Sequence, residues 1–422
     1  MPLLLGCIAD DITGATDLGL MLNAHGLPTT LYLGVPDDLR VPQTEAVVIA
    51  LKIRSCPPEQ AIREATRAAD WLLAHGAGQL FYKYCSTFDS TSEGNIGPVT
   101  DALLQRVDES LTVLLPAFPE NDRTVRSGHL YVGENRLSES SMRNHPLNPM
   151  TESFLPTLMD MQTATGLTGW IDQDIVDAGA NAIRAALATA KANGRRYVSI
   201  DARHDDDMPA IAEAISDLRL ITGGSGIGAA IPQTLREQGV LQNHTGNAEL
   251  PSLPGHAAIL AGSCSQATRA QVAAFADSAT TIVVDPVALH GGTSSKEAIA
   301  DAAQRATISG DVLVYSSTDT ESLKHSQAEL GVETSARLVE DTLSFVARQL
   351  ADNGVTKFIV AGGETSGAVA EALEIDELQI GAPIAPGVPW MVSRSPQVKC
   401  LAFKSGNFGK ADFFERALEM LP

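Results

Sequence analysis

The sequence predicts an α/β protein of two α/β/α (Rossmann-like) domains, with mainly parallel sheets and an inter-domain cleft. Three observations carry that expectation. At 422 residues the chain exceeds what one hydrophobic core ordinarily organises. Short apolar runs of strand type alternate with segments of helical period along its length. Finally, Glu249-Leu250-Pro251-Ser252-Leu253-Pro254-Gly255 breaks the alternation as a linker, which places the domains at 1–250 and 251–422.

In the first domain, residues 3–9 read as a buried strand ending at Asp10-Asp11. Thr13-Gly14-Ala15-Thr16-Asp17 then opens a helix with Ala15, Leu18, Met21 and Leu22 as its apolar stripe. Carboxylates at the carboxyl end of a first strand lie where open α/β sheets bind ligands. One Asp could cap the helix; an adjacent pair exceeds that need. Residues 29–35 and 46–53 are strands, the latter running into Lys52 and Arg54, and 60–75 is an amphipathic helix. A strand at 79–85 delivers Ser86-Thr87-Phe88-Asp89-Ser90-Thr91. Hydroxyls that donate and accept, a carboxylate that accepts and the nearby Lys83 and Arg54 suit a polyhydroxylated, acidic ligand.

Residues 111–118 form another strand, followed by a loop and β-excursion over 119–133. The stretch 138–150 has no period of either kind and includes His145, a candidate ligand contact. Helix 180–192, strand 197–201, helix 208–215 and strand 218–221 complete the domain. Gly224-x-Gly226-x-x-Ala229 fits a dinucleotide fingerprint in its glycines, but no strand with an acidic residue follows about 20 positions on. A glycine-lined edge facing the inter-domain cleft is the expected role.

The second domain opens on a strand at 257–261 that ends in Gly262-Ser263-Cys264-Ser265 and passes into helix 267–279. Strands at 281–284, 312–315, 357–360 and 400–403 alternate with helices, the longest near 334–351, and helix 412–421 closes the chain. Lys357-Phe358-Ile359-Val360-Ala361-Gly362-Gly363-Glu364-Thr365-Ser366 passes from strand through a glycine turn toward a helix at 368–373. Free N–H groups at such a helix start, with the positive end of the dipole, form an anion site. Lys404-Ser405-Gly406-Asn407-Phe408-Gly409 is a third small-residue loop after a strand. Three in one domain suggest a nucleotide, though no Walker-type Gly-x-x-x-x-Gly-Lys-Ser/Thr occurs.

Composition excludes other classes. Lys and Arg number 30 against 51 acidic residues, a formal charge of −21, so no cationic field for nucleic acid is expected. The five cysteines are scattered without a Cys-x-x-Cys pair, which suits free thiols in a reducing compartment. The nine histidines lack metal-ligand spacing. No apolar run reaches the roughly eighteen residues of a membrane span. A cytoplasmic protein is expected, with neither nucleic acid nor membrane as partner.

Ala9-Asp10-Asp11-x-Thr13-Gly14-Ala15-Thr16-Asp17, Lys83-Tyr84-Cys85-Ser86-Thr87-Phe88-Asp89-Ser90-Thr91, Ala361-Gly362-Gly363-Glu364-Thr365-Ser366-Gly367 and Lys404-Ser405-Gly406-Asn407-Phe408-Gly409 resemble the four-carbon acid sugar kinases. The resemblance spans the whole chain in order. It implies an N-terminal acid-sugar-binding domain, a C-terminal nucleotide-binding domain and ATP-dependent phosphorylation of a C4 hydroxyl. Residues 83–98 and Pro116-Ala117-Phe118-Pro119-Glu120-Asn121 most resemble the branch of that family acting on 3-oxo-tetronate, which implies that acceptor; sister branches act on erythronate or threonate, and the motifs shared by all branches do not separate them. Ile53 departs from the small polar residue expected there, leaving Lys52 and Arg54 in place.

By the same resemblance, Arg54, Lys83, Ser86, Thr87, Asp89 and Ser90 are the expected substrate contacts. Ser263, Gly362, Gly363, Glu364, Thr365 and Gly406 are expected on ATP, which would come with Mg²⁺. Asp11, or its neighbour Asp10, would orient or deprotonate the acceptor hydroxyl while Arg54 and Lys83 hold the acid's carboxylate. A homodimer stays open, as do a nicotinamide-dependent oxidoreductase using the Gly224 turn and a non-catalytic sugar-acid sensor.

Overall fold

The computed structural model describes residues 3–36, 42–144, 148–164, 167–242, 248–316, 320–393 and 397–422. The chain divides into two compact units, Met1–Gly246 and Asn247–Pro422. Each is α/β, as the alternation of apolar strands and helices requires.

The first unit begins β1 (Leu5–Ala9), α1 (Ile12–Ala24), β2 (Thr29–Leu33), β3 (Ala46–Ala50), α2 (Pro58–Ala74) and β4 (Gln79–Lys83). It continues through α3 (Ile96–Arg106) and β5 (Thr112–Leu115) into an antiparallel excursion, β6 (Arg123–Arg126), β7 (His129–Val132) and β8 (Asn135–Arg136). Then come α4 (Leu155–Gln162), β9 (Thr168–Ile171), α5 (Gln173–Asp177), α6 (Ala180–Ala192), β10 (Tyr197–Ile200), α7 (Met208–Ile215), β11 (Leu220–Gly223) and α8 (Ile231–Glu237). The main sheet has the order β2-β3-β1-β4-β11-β5-β10-β9, every neighbouring pair parallel. Helices cover both faces of such a sheet, so β1 and β3 are buried at every residue and read as unbroken apolar runs. The register sets Ala9 beside both Ala50 and Lys83. The segments that follow these residues therefore leave the sheet from one edge.

The second unit runs β12 (Ala258–Ala261), α9 (Gln266–Phe275), β13 (Thr280–Val283), α10 (Pro286–His290), α11 (Lys296–Ala306), β14 (Val312–Tyr315), α12 (Thr320–Leu330) and α13 (Val332–Asp352). It closes with β15 (Lys357–Ala361), α14 (Gly363–Ala372), β16 (Glu377–Ala385), β17 (Val388–Ser393), β18 (Lys399–Lys404) and α15 (Phe413–Glu419). Strands β13-β14-β12-β15-β18 are parallel, and β17 and β16 continue the sheet antiparallel. Its core joins Ile259, Leu313, Ile359 and Trp390 to Phe275, Phe413 and Phe414. Trp390 is fully buried and donates its indole N–H to the Ala417 carbonyl, which satisfies its one polar atom.

Several elements depart from the expectation. The β16–β17 hairpin was not anticipated: Pro383 and Pro389 lie inside it, and register shifts around Pro383 accommodate them. Helix α14 starts at Gly363, not at 368, so the glycine turn is its first turn. Helix α3 carries Gly97 and Pro98 near its start, which masks its period, and it too was missed, as were α4, β9, α5 and α8. The Gly224 turn is no open glycine edge. Residues 223–226 are buried, and a Cβ at Gly224 or Gly226 would strike the carbonyl of Pro116 or Ala117. These glycines let β11 leave the sheet against the segment that follows β5, backbone on backbone.

Candidate active site

Asp10 and Asp11 stand immediately after β1. Asp11 adopts extended backbone angles (φ −147°, ψ 167°) as the N-cap of α1, and its Oδ1 accepts from the Gly14 N–H at 2.6 Å. Asp10 is buried and meets Arg54 in a fork: Nε to Oδ2 and Nη2 to Oδ1, both 2.8 Å. The third guanidinium nitrogen, Nη1, lies 2.8 Å from Asp11 Oδ2 and 3.4 Å from Asp89 Oδ2. One arginine therefore gathers carboxylates from two segments that the sequence leaves far apart. Its expected freedom to hold a ligand carboxylate meets a guanidinium already engaged on every nitrogen.

The two adjacent aspartates are differentiated by their surroundings. Burial pushes the Asp10 carboxyl above its usual range despite Arg54, and the neighbouring Asp11 charge adds to that push. Burial acts the same way on Asp11, but the charges of Arg54 and Lys83 and the Gly14 N–H outweigh it and hold that carboxyl below the usual range. The Asp11 side chain is 27% exposed against 3% for Asp10. The reachable, ionised carboxylate is Asp11.

Lys83, the last residue of β4, is buried and donates to the Tyr84 carbonyl at 2.7 Å. A Cβ on Gly14 would lie 3.1 Å from its ammonium, so a larger residue there would close the gap between α1 and Lys83. Beyond it the chain makes an unusual turn. Phe88 (φ 62°) and Asp89 (φ 47°) are consecutive non-glycine residues in the left-handed region, a conformation that a bulky side chain rarely adopts. Phe88 is fully buried edge-on against Tyr84, and that packing holds the turn which brings Asp89 to Arg54.

Thr87 is buried with its hydroxyl 3.1 Å from the Cys85 thiol, while Ser86 is half-buried. Ser90 is buried and accepts from Gln162 Nε2 at 2.9 Å. Gln162 also donates to the Thr91 carbonyl at 2.6 Å and accepts from the Gly97 N–H at 2.8 Å, bracing the loop against α3. Sequence reading missed Gln162 altogether. It missed Asn95, whose amide donates to the carbonyls of Ile53 and Cys56 and fixes the Arg54 segment, and Asn148, which donates to Asp89 Oδ1 at 3.1 Å. No local pattern announces them, because each acts across many residues of chain. Lys52 is exposed, and His145 lies outside the described residues.

In the second unit the three small-residue loops come together. Gly362 is the N-cap of α14 at φ 131°, and the first intrahelical bond is Ser366 N–H to the Gly362 carbonyl. The N–H groups of Gly363, Glu364 and Thr365 are thus the open donors of the helix start. Gly363 and Glu364 are exposed, whereas Thr365 is buried with its hydroxyl against Gly262 and Gly362. Gly362 donates to the Lys404 carbonyl at 2.9 Å, and the Ser263 N–H donates to the Ala361 carbonyl at 3.1 Å. Ser265 caps α9 by accepting from Thr268 N–H, and its hydroxyl donates to the Gly406 carbonyl at 2.5 Å. Any Cβ on Gly406 would overlap the Ser263 hydroxyl. Ser263, Gly362 to Thr365 and Gly406 therefore form one cluster of backbone donors, hydroxyls and a helix N-terminus, suited to a polyphosphate.

A parallel α/β fold with a carboxylate–arginine cluster after β1 in the first unit and backbone donors at a helix start in the second is the kind of framework on which ligand-binding α/β enzymes are built, and comparison with known proteins narrows the class. Residues 5–231 match the family model of a sugar-binding N-terminal domain, and residues 258–414 match that of a nucleotide-binding C-terminal domain. The chain belongs to the four-carbon acid sugar kinase family.

It is 45% identical over 421 residues to a 3-oxo-tetronate kinase of Burkholderia multivorans, covering 99% of this chain and 97% of that one. It is 44% identical over 417 residues to a 3-oxo-tetronate kinase of Salmonella typhimurium, covering 98% of each chain. Among solved structures, a Salmonella typhimurium LT2 protein provisionally described as a tRNA synthase superposes with TM-score 0.88 at 41% identity, covering all of both chains. A Haemophilus influenzae protein superposes with TM-score 0.80 at 40% identity, covering 99% of this chain and 100% of that one.

Proposed function

We propose that this chain is an ATP-dependent carbohydrate kinase that phosphorylates the C4 hydroxyl of 3-oxo-tetronate, giving 3-oxo-tetronate 4-phosphate and ADP. The observation that carries the reading is the likeness, over nearly the whole length of both chains, to enzymes named for that reaction. The first unit binds the acid sugar and the second binds the nucleotide, in line with the two family models. A formal charge of −21 opposes a tRNA as ligand.

Phosphoryl transfer asks for positioning and charge neutralisation more than for covalent chemistry. Asp11, ionised and reachable, accepts the proton of the C4 hydroxyl as its oxygen bonds to the γ-phosphorus and the bond to the β-phosphate oxygen breaks. Asp10 holds Arg54, and Arg54 holds Asp11 and Asp89 in place. Lys83, with one donor on the Tyr84 carbonyl, directs its remaining charge to the acid's carboxylate, assisted by Ser86 and Thr87. Asp89 accepts from a ligand hydroxyl. Ser90, tied to Gln162, shapes the loop. The open N–H groups from Gly363 to Thr365 hold the phosphates of ATP, with Gly406 and Ser263 completing the cradle. Mg²⁺ would come with the nucleotide and offset phosphate charge there; among the described residues no cluster of carboxylates or histidines forms a protein cage for it.

An ADP-release assay over 3-oxo-tetronates, erythronate and threonate tests this directly. ADP should be formed fastest, by kcat/KM, with a 3-oxo acid. Equal rates without any acceptor, or a clear preference for a reduced acid, would overturn the assignment. Among the described residues, no helix is long and apolar enough to cross a membrane.

A further inference from the structure

We propose that Lys404 is a positioning residue for the nucleotide, holding the Gly406 carbonyl and the Thr268 hydroxyl from behind the loops and supplying a positive charge that no carboxylate among the described residues neutralises. The inference rests on the second unit being the nucleotide site, and it concerns a residue outside the cradle itself.

Lys404 ends β18 and is fully buried. Its ammonium donates to Thr268 Oγ1 at 3.0 Å and to the Gly406 carbonyl at 3.2 Å, and it lies 5.8 Å from the centre of the Phe413 ring. The same Gly406 carbonyl accepts from Ser265 Oγ at 2.5 Å and Thr268 Oγ1 at 2.8 Å. Three donors on one carbonyl fix the direction of that peptide and turn it inward. The main chain of Lys404 meanwhile accepts from the Gly362 N–H, so a single residue touches two of the three loops and the first turn of α9.

A buried ammonium is expensive without a counter-charge. Among the described residues no carboxylate lies within ion-pair distance of Lys404. Its neighbours are a hydroxyl on α9, a carbonyl of its own loop and an aromatic ring on α15, none of them ionisable. Burial alone pushes the ammonium down to about 7. A lysine kept only for packing would be served as well by methionine. A charge left unmatched directly behind an anion cradle is matched once a polyphosphate arrives. Binding then raises the affinity of Lys404 for its proton, so by linkage the nucleotide binds more tightly below about pH 7, where the ammonium is charged before the ligand arrives, and progressively less tightly above it.

The test uses magnesium-complexed ADP, whose phosphates stay ionised across the range. With the wild-type protein, calorimetry at pH 8 in buffers of different ionisation enthalpy should show uptake of close to one proton, and affinity should fall on the order of twentyfold from pH 6.5 to 8.5. Lys404→Met should bind about tenfold more weakly at pH 6.5, show no proton uptake and lose the pH dependence. Wild-type binding without proton uptake and flat across this range would overturn the role of Lys404 while leaving the nucleotide site standing. No binding of MgADP by the wild-type protein would remove the nucleotide reading and this inference with it. Should Lys404→Met fail to fold, the wild-type calorimetry decides alone.

Discussion

Arg54 and Asp10 form a two-pronged ion pair, both contacts 2.8 Å, with the Asp10 side chain only 3% exposed. Removing one member of such a pair leaves the other as an uncompensated buried charge. Arg54→Ala should therefore cost ~3–5 kcal/mol of unfolding free energy at pH 7. The sign with pH follows from Asp10. Its carboxyl is raised by burial even with Arg54 present and rises further without it. A raised acid contributes stability that is present below its unfolded value and lost as pH climbs through its folded one. The deficit should shrink toward pH 4, as denaturant melts at the two pH values will show. Equal deficits at both would mean that Asp10 is not the charge left stranded.

Asp11 has the opposite shift and a different test. Its carboxyl is held low, so it stays ionised as pH falls, until the pH reaches that lowered value. Turnover of the wild-type enzyme should keep its base through the ordinary carboxylate range, with no acid limb centred near 4 from this group. Asp11→Asn should lower kcat by about 10²- to 10⁴-fold and leave MgADP affinity unchanged, because no nucleotide contact is lost. Unaltered kcat would exclude Asp11 as the proton acceptor.

Two glycines of the cradle separate packing from binding. A Cβ at Gly262 would overlap the Thr365 hydroxyl, whereas a Cβ at Gly363 meets nothing within 4 Å. Gly262→Ala should cost ~1–3 kcal/mol in overpacking. Gly363→Ala should fold as well as the wild type, yet raise the ATP KM about tenfold, because only glycine lets phosphates reach that helix start closely. A Gly363→Ala enzyme with unchanged ATP KM would place the phosphates elsewhere.

These contrasts show which features were open to sequence reading. The strand–carboxylate–helix junction at Asp10-Asp11 and the strand–glycine–helix junctions at 262 and 362 are local, so residue order alone exposes them. Residue order did not separate the two aspartates, since their difference depends on how Arg54 arrives from 44 residues away. The braces are equally long-range: Gln162 reaches Ser90 and Thr91 from α4, and Asn95 reaches back to Ile53. The β16–β17 hairpin hid behind prolines that its register shifts absorb. The Gly224 turn misled in the other direction, because a glycine that admits another backbone looks in sequence like one that admits a ligand.

Asp89 joins the strained turn to the charge cluster, and substitutions can separate those two duties. Its φ of 47° suits asparagine nearly as well as aspartate, so Asp89→Asn keeps the turn while removing the charge. Arg54 retains Asp10 and Asp11, at 2.8 Å each, against the longer 3.4 Å contact to Asp89. Asp89 is buried, but an asparagine oxygen can still accept from Asn148, so stability should fall by only about 1–3 kcal/mol, less than for Arg54→Ala. If Asp89 accepts a hydrogen bond from the acid sugar, the acceptor KM should rise about ten- to a hundredfold with the ATP KM unmoved. Asp89→Ala must carry the left-handed backbone without a side chain that tolerates it, and should lose ~1–3 kcal/mol in addition. Steady-state kinetics beside thermal melts for the two variants distinguish the cases. An asparagine variant with wild-type acceptor KM would restrict Asp89 to holding Arg54 and Asn148, and the acid sugar's hydroxyl would have to find its acceptor in Asp11 alone.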